Sequence, residues 1–189
     1  MSGPGRASSM CRAHTCVPWI PDSAVVTGVR GAGKTFWWET LADPLMLKAL
    51  DSFFPSYRLA TYEVLQAFGP RTSEHWPSRL VFDRLAGHDA EIIWRAVLLR
   101  RLGLLEADDW VSACAWVNGH VEEAERRLLA HDRQRAEQDR PALVVFDGLD
   151  QVASLWVDIY ALLRACCASS PICGCFAACG RRRFFAMTW

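Results

Sequence analysis

Eight consecutive residues have the types and the spacing needed to hold a chain of phosphate groups. They are Gly28, Val29, Arg30, Gly31, Ala32, Gly33, Lys34 and Thr35, and they fit the pattern G-x-x-x-x-G-K-[ST]. The three glycines permit positive φ angles and a close approach of the backbone, whose successive amide N–H groups attract an anion. Lys34 would reach the β- and γ-phosphates, and the hydroxyl of Thr35 would bind Mg²⁺. The motif predicts a site for a nucleoside triphosphate and magnesium.

A second stretch supplies the carboxylate that such a site needs. Residues 141–147 read PALVVFD, and an apolar run without alternation is typical of a parallel strand covered on both faces. Asp147 ends this run and is our candidate for the magnesium shell. Asp150 is our candidate to orient or deprotonate the attacking water. The alternative, that both are turn and N-cap residues before a helix at 152–165, stays open.

The elements around the glycine motif follow the order that a phosphate-binding loop requires. Residues 23–27, SAVVT, predict a short strand before the glycines, and a helix is predicted after them. We expect the helix to pack against the sheet through Phe36, Trp37, Trp38 and Leu41. The alternative is a glycine turn between strand and helix that binds nothing. The phosphate-binding loop is favoured because it requires the strand and the helix that the sequence predicts on either side of the glycines.

The long segment between the two motifs has mostly helical patterns. Residues 56–65 predict a second strand, and the Gly, Pro and Ser content of residues 66–78 predicts a loop. Apolar residues at helical spacing then recur over 88–105, 108–118 and 120–138. We therefore predict a helical insert over about 78–138. Arg100 and Arg101 are candidates for a phosphate contact from this insert, although exposed helix arginines are the simpler interpretation.

Together the two motifs resemble those of P-loop ATPases of the AAA+ and STAND type. GVRGAGKTFWW followed by LVVFDGLD is similar to the NACHT-like members and to bacterial ATPase-like proteins with a GKTFWW helix and an FDxLD strand. The resemblance covers roughly residues 19–164. It implies an α/β fold, the αβα sandwich of P-loop NTPases, with a parallel sheet and the helical insert between the two nucleotide motifs. Gln151 departs from the family pattern, which commonly continues with an acid.

The resemblance also implies a function. By position it assigns residues 28–35 to the phosphates of ATP, and Asp147 and Asp150 to Mg²⁺ and water. Hydrolysis would act as a switch or would remodel a protein partner or oligomer. Two alternatives stay open, a non-catalytic nucleotide-binding module or inactive fragment, and a small-molecule phosphotransferase. The sequence has no N-K-x-D or T-K-x-D motif for reading guanine, which favours ATP over GTP.

The composition of the chain bears on its domain number, on its partners and on its location in the cell. The chain has 189 residues, of which 51% are hydrophobic and 22% charged, so one sizeable core is expected. The formal net charge is zero, so no broad basic surface for nucleic acid is indicated. Its apolar runs are far shorter than the roughly 20 residues of a membrane span. Residues 1–18 are polar without an apolar signal segment, and we expect a disordered arm and a cytoplasmic protein.

Residues 166–189 do not fit this scheme, and we expect an irregular tail rich in cysteine and arginine. Five of the eight cysteines lie here, at Cys166, Cys167, Cys173, Cys175 and Cys179. Their spacing gives no regular pairs for zinc, disulfides conflict with a cytoplasmic location, and the three arginines at 181–183 make a weak basic clamp. The P-loop core, residues 19–165, still needs a further helix and a further parallel strand, and we expect the tail to provide neither.

A slip of the reading frame explains such a tail. If GC-favoured codons are assumed, the shifted frame encodes an amphipathic helix and then an apolar strand. Our hypothesis is that the frame slips near Arg164 or Ala165, and in that case nucleotide binding should survive better than hydrolysis.

Overall fold

The computed structural model describes residues 31–71, 73–85 and 87–149, together with the backbone of residues 25–27 and 183–188. These residues form a four-stranded sheet in the order β1-β4-β3-β2. Every strand pairing in it is parallel, so the carboxyl ends of the strands meet at one edge. The strands are β1 (Val25–Thr27), β2 (Glu63–Phe68), β3 (Ala142–Asp147) and β4 (Arg183–Thr188).

Six α-helices are present in the described part of the chain. Several begin at aspartates that accept hydrogen bonds from the first backbone N–H groups, namely Asp43, Asp89 and Asp109. No described helix combines the length and the apolar character needed to cross a membrane. The helices are α1 (Lys34–Ala42), α2 (Pro44–Phe53), α3 (Arg79–Leu85), α4 (Ala90–Arg101), α5 (Trp110–Gly119) and α6 (Val121–Glu137), and two short 3-10 helices lie at Pro55–Tyr57 and Leu59–Thr61.

Consecutive side chains of β3 contact helices on opposite faces of the sheet. The ring of Phe146 packs edge-on against Trp94 of α4, with 5.3 Å between ring centroids. The carboxylate of Asp147 instead accepts a hydrogen bond from Thr35 in α1. Because neighbouring residues of a strand point to opposite faces, α1 and α4 lie on opposite sides of the sheet. The sheet is therefore an inner layer between helices.

A register shift in β2 adjusts this strand to both layers. Gln66 pairs with Val145, but Phe68 pairs with Phe146, so β2 contains one extra residue. Gln66 thus faces α1, where its Nε2 donates to the carbonyl of Trp38 at 3.3 Å. Phe68 faces the other way and packs against aromatic rings of α3 and α4. The shift directs neighbouring parts of one strand into two different interfaces.

Three sequence predictions differ from these elements. Residues 66–78 were predicted as a loop, but β2 continues to Phe68. This strand lies at the edge of the described sheet and is only partly buried, so it lacks a continuous apolar run. The strand predicted at 56–65 begins only at Glu63, because residues 55–61 form the two short 3-10 helices. Phe36 was expected to pack against the sheet but is 57% exposed.

The tail also differs from expectation where it is described. We expected residues 166–189 to provide no strand, but residues 183–188 form β4 between β1 and β3. The apolar part of this stretch is short and follows three arginines, so no strand pattern stands out. The parallel strand whose absence motivated the frame-slip hypothesis is thus present. The cysteine cluster, the predicted helix at 152–165 and the arm at 1–18 lie outside the described residues.

Gly69, directly after β2, lies against the ring of Trp38. A Cβ atom added at Gly69 would be 2.4 Å from Cζ2 of this ring, well inside van der Waals contact. Trp38 is itself buried and forms part of the hydrophobic core. The chain therefore needs glycine at this position for lack of space.

Replacing Gly69 by alanine should destabilise the fold. We expect Gly69→Ala to lower the free energy of unfolding by about 1–3 kcal/mol, since the new methyl group overpacks the Trp38 contact. Urea unfolding followed by tryptophan fluorescence measures this. The control is Gly87→Ala, because a Cβ there would meet no atom within 4 Å. Equal unfolding midpoints for the two variants would contradict the packing argument.

Candidate phosphate-binding site

The described part of the glycine motif has the backbone shape that the sequence predicted. Gly31 and Gly33 have φ angles of 81° and 79°, which confirms the expected positive values. A Cβ at either glycine would meet no atom within 4 Å, so the backbone conformation, and not space, favours glycine here. Helix α1 begins at Lys34, and the N–H of Trp37 donates to the carbonyl of Gly33 at 3.1 Å. The loop therefore leads into the positive end of a helix dipole.

One hydrogen bond joins the two sequence motifs. The Oγ1 of Thr35 donates to Oδ2 of Asp147 at 2.7 Å, across 112 positions of the chain. Thr35 is exposed at the start of α1, whereas Asp147 at the end of β3 is only 4% exposed. Lys34 is 9% exposed, so a cation and a carboxylate are both largely withdrawn from water here. The arrangement joins the hydroxyl of an exposed residue to a buried carboxylate.

The surroundings of Asp147 act on its charge in opposite directions. Burial raises the pKa of its carboxyl group above the ordinary value, and this is the largest effect. The hydroxyl of Thr35, the backbone N–H of Gly148 and the charge of Lys34 lower the pKa, and the charge of Glu39 raises it. The net effect is a raised pKa, so keeping this carboxylate ionised lowers the stability of the folded protein. A bound cation would offset that free-energy cost.

Of the predicted site residues, the structure brings Lys34, Thr35 and Asp147 together at the start of α1. Gly31, Ala32 and Gly33 form the turn that precedes them. Gly28, Val29, Arg30 and Asp150 lie outside the described residues, so their predicted roles remain predictions.

Sequence reasoning missed two charged residues beside this site. Nη2 of Arg71 contacts Oε1 of Glu39 in α1 at 2.6 Å. Both residues line an open groove of about 590 Å³, whose walls also include Trp38, Gln66, Ser73 and Trp76. Arg71 lies in the loop that follows β2, but the strand was predicted to end at residue 65 and in fact continues to Phe68. Because β2 and β3 are parallel, the end of β2 places Arg71 at the same edge of the sheet as Asp147.

No protein family model, curated protein or solved structure matches this chain. Among the described residues, no three or more His, Cys, Asp or Glu side chains form a group able to hold a metal ion. The function is therefore inferred from the geometry of Lys34, Thr35 and Asp147 and of the loop before them.

The buried charge of Asp147 predicts how stability depends on pH. Because its folded-state pKa is raised, the folded protein binds the extra proton between the ordinary and the raised value, and the free energy of unfolding falls as pH rises through this window. Asp147→Asn removes the buried charge. In EDTA without nucleotide, this variant should be more stable than wild type at pH 7, and the difference should shrink as pH is lowered into the carboxyl range.

Urea unfolding of both proteins at several pH values measures the difference. Asp83→Asn is the control, since Asp83 is an exposed residue of α3 whose charge no burial opposes. A stability difference for Asp147→Asn that stays constant with pH, or a variant less stable than wild type at pH 7, would contradict the argument.

Proposed function

We propose that this protein binds ATP and Mg²⁺ at the glycine loop and hydrolyses the terminal phosphate, as a switch or to remodel a protein partner. The observation that carries the proposal is the 2.7 Å hydrogen bond from Thr35 to Asp147. Burying the carboxylate of Asp147 costs free energy. A glycine turn that binds no ligand does not require a buried carboxylate beside it. A buried carboxylate hydrogen-bonded to the hydroxyl of an exposed threonine, next to a lysine and a helix start, suits a metal-bound polyphosphate.

The residues fit the requirements of magnesium. Mg²⁺ prefers oxygen ligands and usually takes one or two from the protein, with water and substrate phosphates completing its shell. The hydroxyl of Thr35 and the carboxylate of Asp147 provide such oxygens. When bound, Mg²⁺ would neutralise negative charge on the phosphates. Asp147 would hold the metal shell, directly or through water, and Thr35 would contribute its hydroxyl.

The other parts of the site would act on the phosphates. The N–H groups of the loop and of the first turn of α1 would donate to phosphate oxygens, with the positive end of the helix dipole behind them. The ammonium group of Lys34 would contact the β- and γ-phosphates. We assign Asp150 to orienting the attacking water. ATP is preferred to GTP because the sequence lacks a guanine-reading motif.

Binding of ATP should depend on Lys34. We expect Lys34→Ala to weaken binding roughly 10- to 100-fold, since a hydrogen bond to a charged group contributes about 1.5–3 kcal/mol. Isothermal titration calorimetry with ATP and Mg²⁺ measures this. The matched control is Lys48→Ala, at an exposed position of α2, which should bind like wild type. Equal affinities of the two variants, or a folded wild-type protein that binds no ATP, would reject the proposed site.

Turnover separates the proposed ATPase from its alternatives. We expect wild type to release phosphate from ATP, EDTA to abolish release, and Asp150→Asn to lower kcat far more than it weakens ATP binding. Phosphate release is followed in single- and multiple-turnover assays. Binding without release in wild type would favour a non-catalytic nucleotide-binding module.

A phosphotransferase is the second candidate, and the open groove beside α1 favours it. The groove has room for a small acceptor, and Trp38 in its wall has a buried Nε1 with no hydrogen-bond partner among the described residues. In this case, phosphate from labelled ATP would appear on an added acceptor instead of in water.

A further inference from the structure

We infer that Arg71 contacts the γ-phosphate of bound ATP, giving up its ion pair with Glu39 to do so. The inference rests on the proposed function of the glycine loop as an ATP site. It adds a residue that distinguishes ATP from ADP, and this residue comes from the loop after β2, outside both nucleotide motifs.

The backbone of Arg71 is held at the carboxyl edge of the sheet. Arg71 follows the last residue of β2 by three positions. Gly69 lies against the ring of Trp38, which brings this loop onto α1. The carbonyl of Arg71 accepts a hydrogen bond from Nε1 of Trp76 at 3.1 Å, and Trp76 is buried. The main chain is therefore held at Gly69 and at the carbonyl of Arg71, next to the helix that begins the phosphate site.

The side chain of Arg71 is exposed, and its guanidinium group pairs with a residue of α1, the helix that begins the phosphate site. It is 77% exposed and contacts the carboxylate of Glu39 at 2.6 Å. Glu39 follows Thr35 by four residues in α1, so the two share a face of the helix and are about 6 Å apart along its axis. The acid that holds the guanidinium group is thus about one helical turn from the residue whose hydroxyl would bind magnesium.

A γ-phosphate is a better partner for Arg71 than Glu39 is. An ion pair between two solvent-exposed side chains contributes little to stability, so its exchange costs little. The guanidinium group can make two parallel hydrogen bonds to a phosphate, and these charge-assisted bonds are among the strongest in proteins. Glu39 also lies close enough to Asp147 for its charge to raise the pKa of that carboxyl group. The Glu39–Arg71 pair and the proposed magnesium site therefore share one electrostatic environment.

The two arginines that sequence analysis considered for this role make other contacts. Nε of Arg101 donates to the carbonyl of Gln66 at 2.6 Å, at the register shift of β2. The guanidinium group of Arg100 lies over the ring of Trp110, 4.2 Å from its centroid. Arg71 differs from both in that its guanidinium group pairs with an acid of α1, the helix that begins the phosphate site.

The test compares the affinities of ATP and ADP, each with Mg²⁺, by calorimetry on the full chain. Arg71→Ala should weaken ATP binding roughly tenfold and leave ADP binding unchanged, since only ATP has a γ-phosphate. Arg71→Lys should lie between Arg71→Ala and wild type, because it keeps the charge without the two-pronged geometry. Glu39→Gln should raise the preference for ATP by removing the competing carboxylate.

Arg58→Ala is the matched control. Arg58 makes a similar exposed ion pair with Asp139 at 3.0 Å, on the segments that precede β2 and β3 and thus at the opposite edge of the sheet. This variant should bind ATP and ADP like wild type. If the unfolding curves of Arg71→Ala and Arg58→Ala match that of wild type, any difference in nucleotide binding is local and does not come from a loss of stability.

The outcomes separate this inference from the function on which it rests. Loss of ATP affinity alone in Arg71→Ala supports the inference. Two results overturn the inference and leave the proposed function in place, provided that wild type binds ATP tightly. In the first, Arg71→Ala binds ATP as wild type does. In the second, Arg71→Ala weakens binding of ATP and of ADP equally. A folded wild-type protein that binds neither nucleotide overturns the proposed function, and the role of Arg71 with it.

Discussion

The hydrogen bond between Thr35 and Asp147 fixes the start of α1 against the end of β3, and the arrangement of the candidate site depends on this contact. It connects the first turn of α1 to the last residue of β3, and Asp147 is buried there with only a few groups to stabilise its charge. β4 separates β3 from the strand that leads into the loop. At about 4.8 Å per strand spacing, β1 and β3 are roughly 10 Å apart. The loop and the start of α1 therefore have to bridge this distance to bring the hydroxyl to the carboxylate.

Helix α1 belongs to both halves of the site. Its first turn holds Thr35, and its later residues hold the segment after β2 through the Trp38 contact with Gly69 and the ion pair of Glu39 with Arg71. The side chain of Gln66 fixes a third point by donating to the backbone of α1. A displacement of α1 along its axis would therefore move the hydroxyl and the Arg71 loop together. A helix of nine residues thus couples the proposed magnesium ligand Thr35 to the proposed phosphate contact Arg71.

The parts of the site that were predictable from sequence are those with strong local constraints. The positive φ angles at Gly31 and Gly33 and the helix start at Lys34 follow from one short motif, and the fully buried β3 follows from an unbroken apolar run. The end of β2 was missed because Gln66 is polar and is followed closely by Gly69 and Pro70, a composition typical of a loop. β4 was missed because its position depends on strands far away in the sequence. The place of Arg71 at the edge of the sheet follows from where β2 ends, so the sequence alone did not identify Arg71 as a neighbour of the site.

The position of β4 has a consequence for the order in which the chain can fold. In the described sheet, β1 has β4 as its strand neighbour, and Val25 pairs with Ala186. A ribosome therefore makes the first strand long before its partner exists, whereas β2 and β3 can pair with each other earlier. Contacts of such long sequence separation slow folding, because the chain entropy of closing the loop is lost before the contact forms. The glycine loop, which β1 leads into, should be among the last parts of the molecule to become ordered.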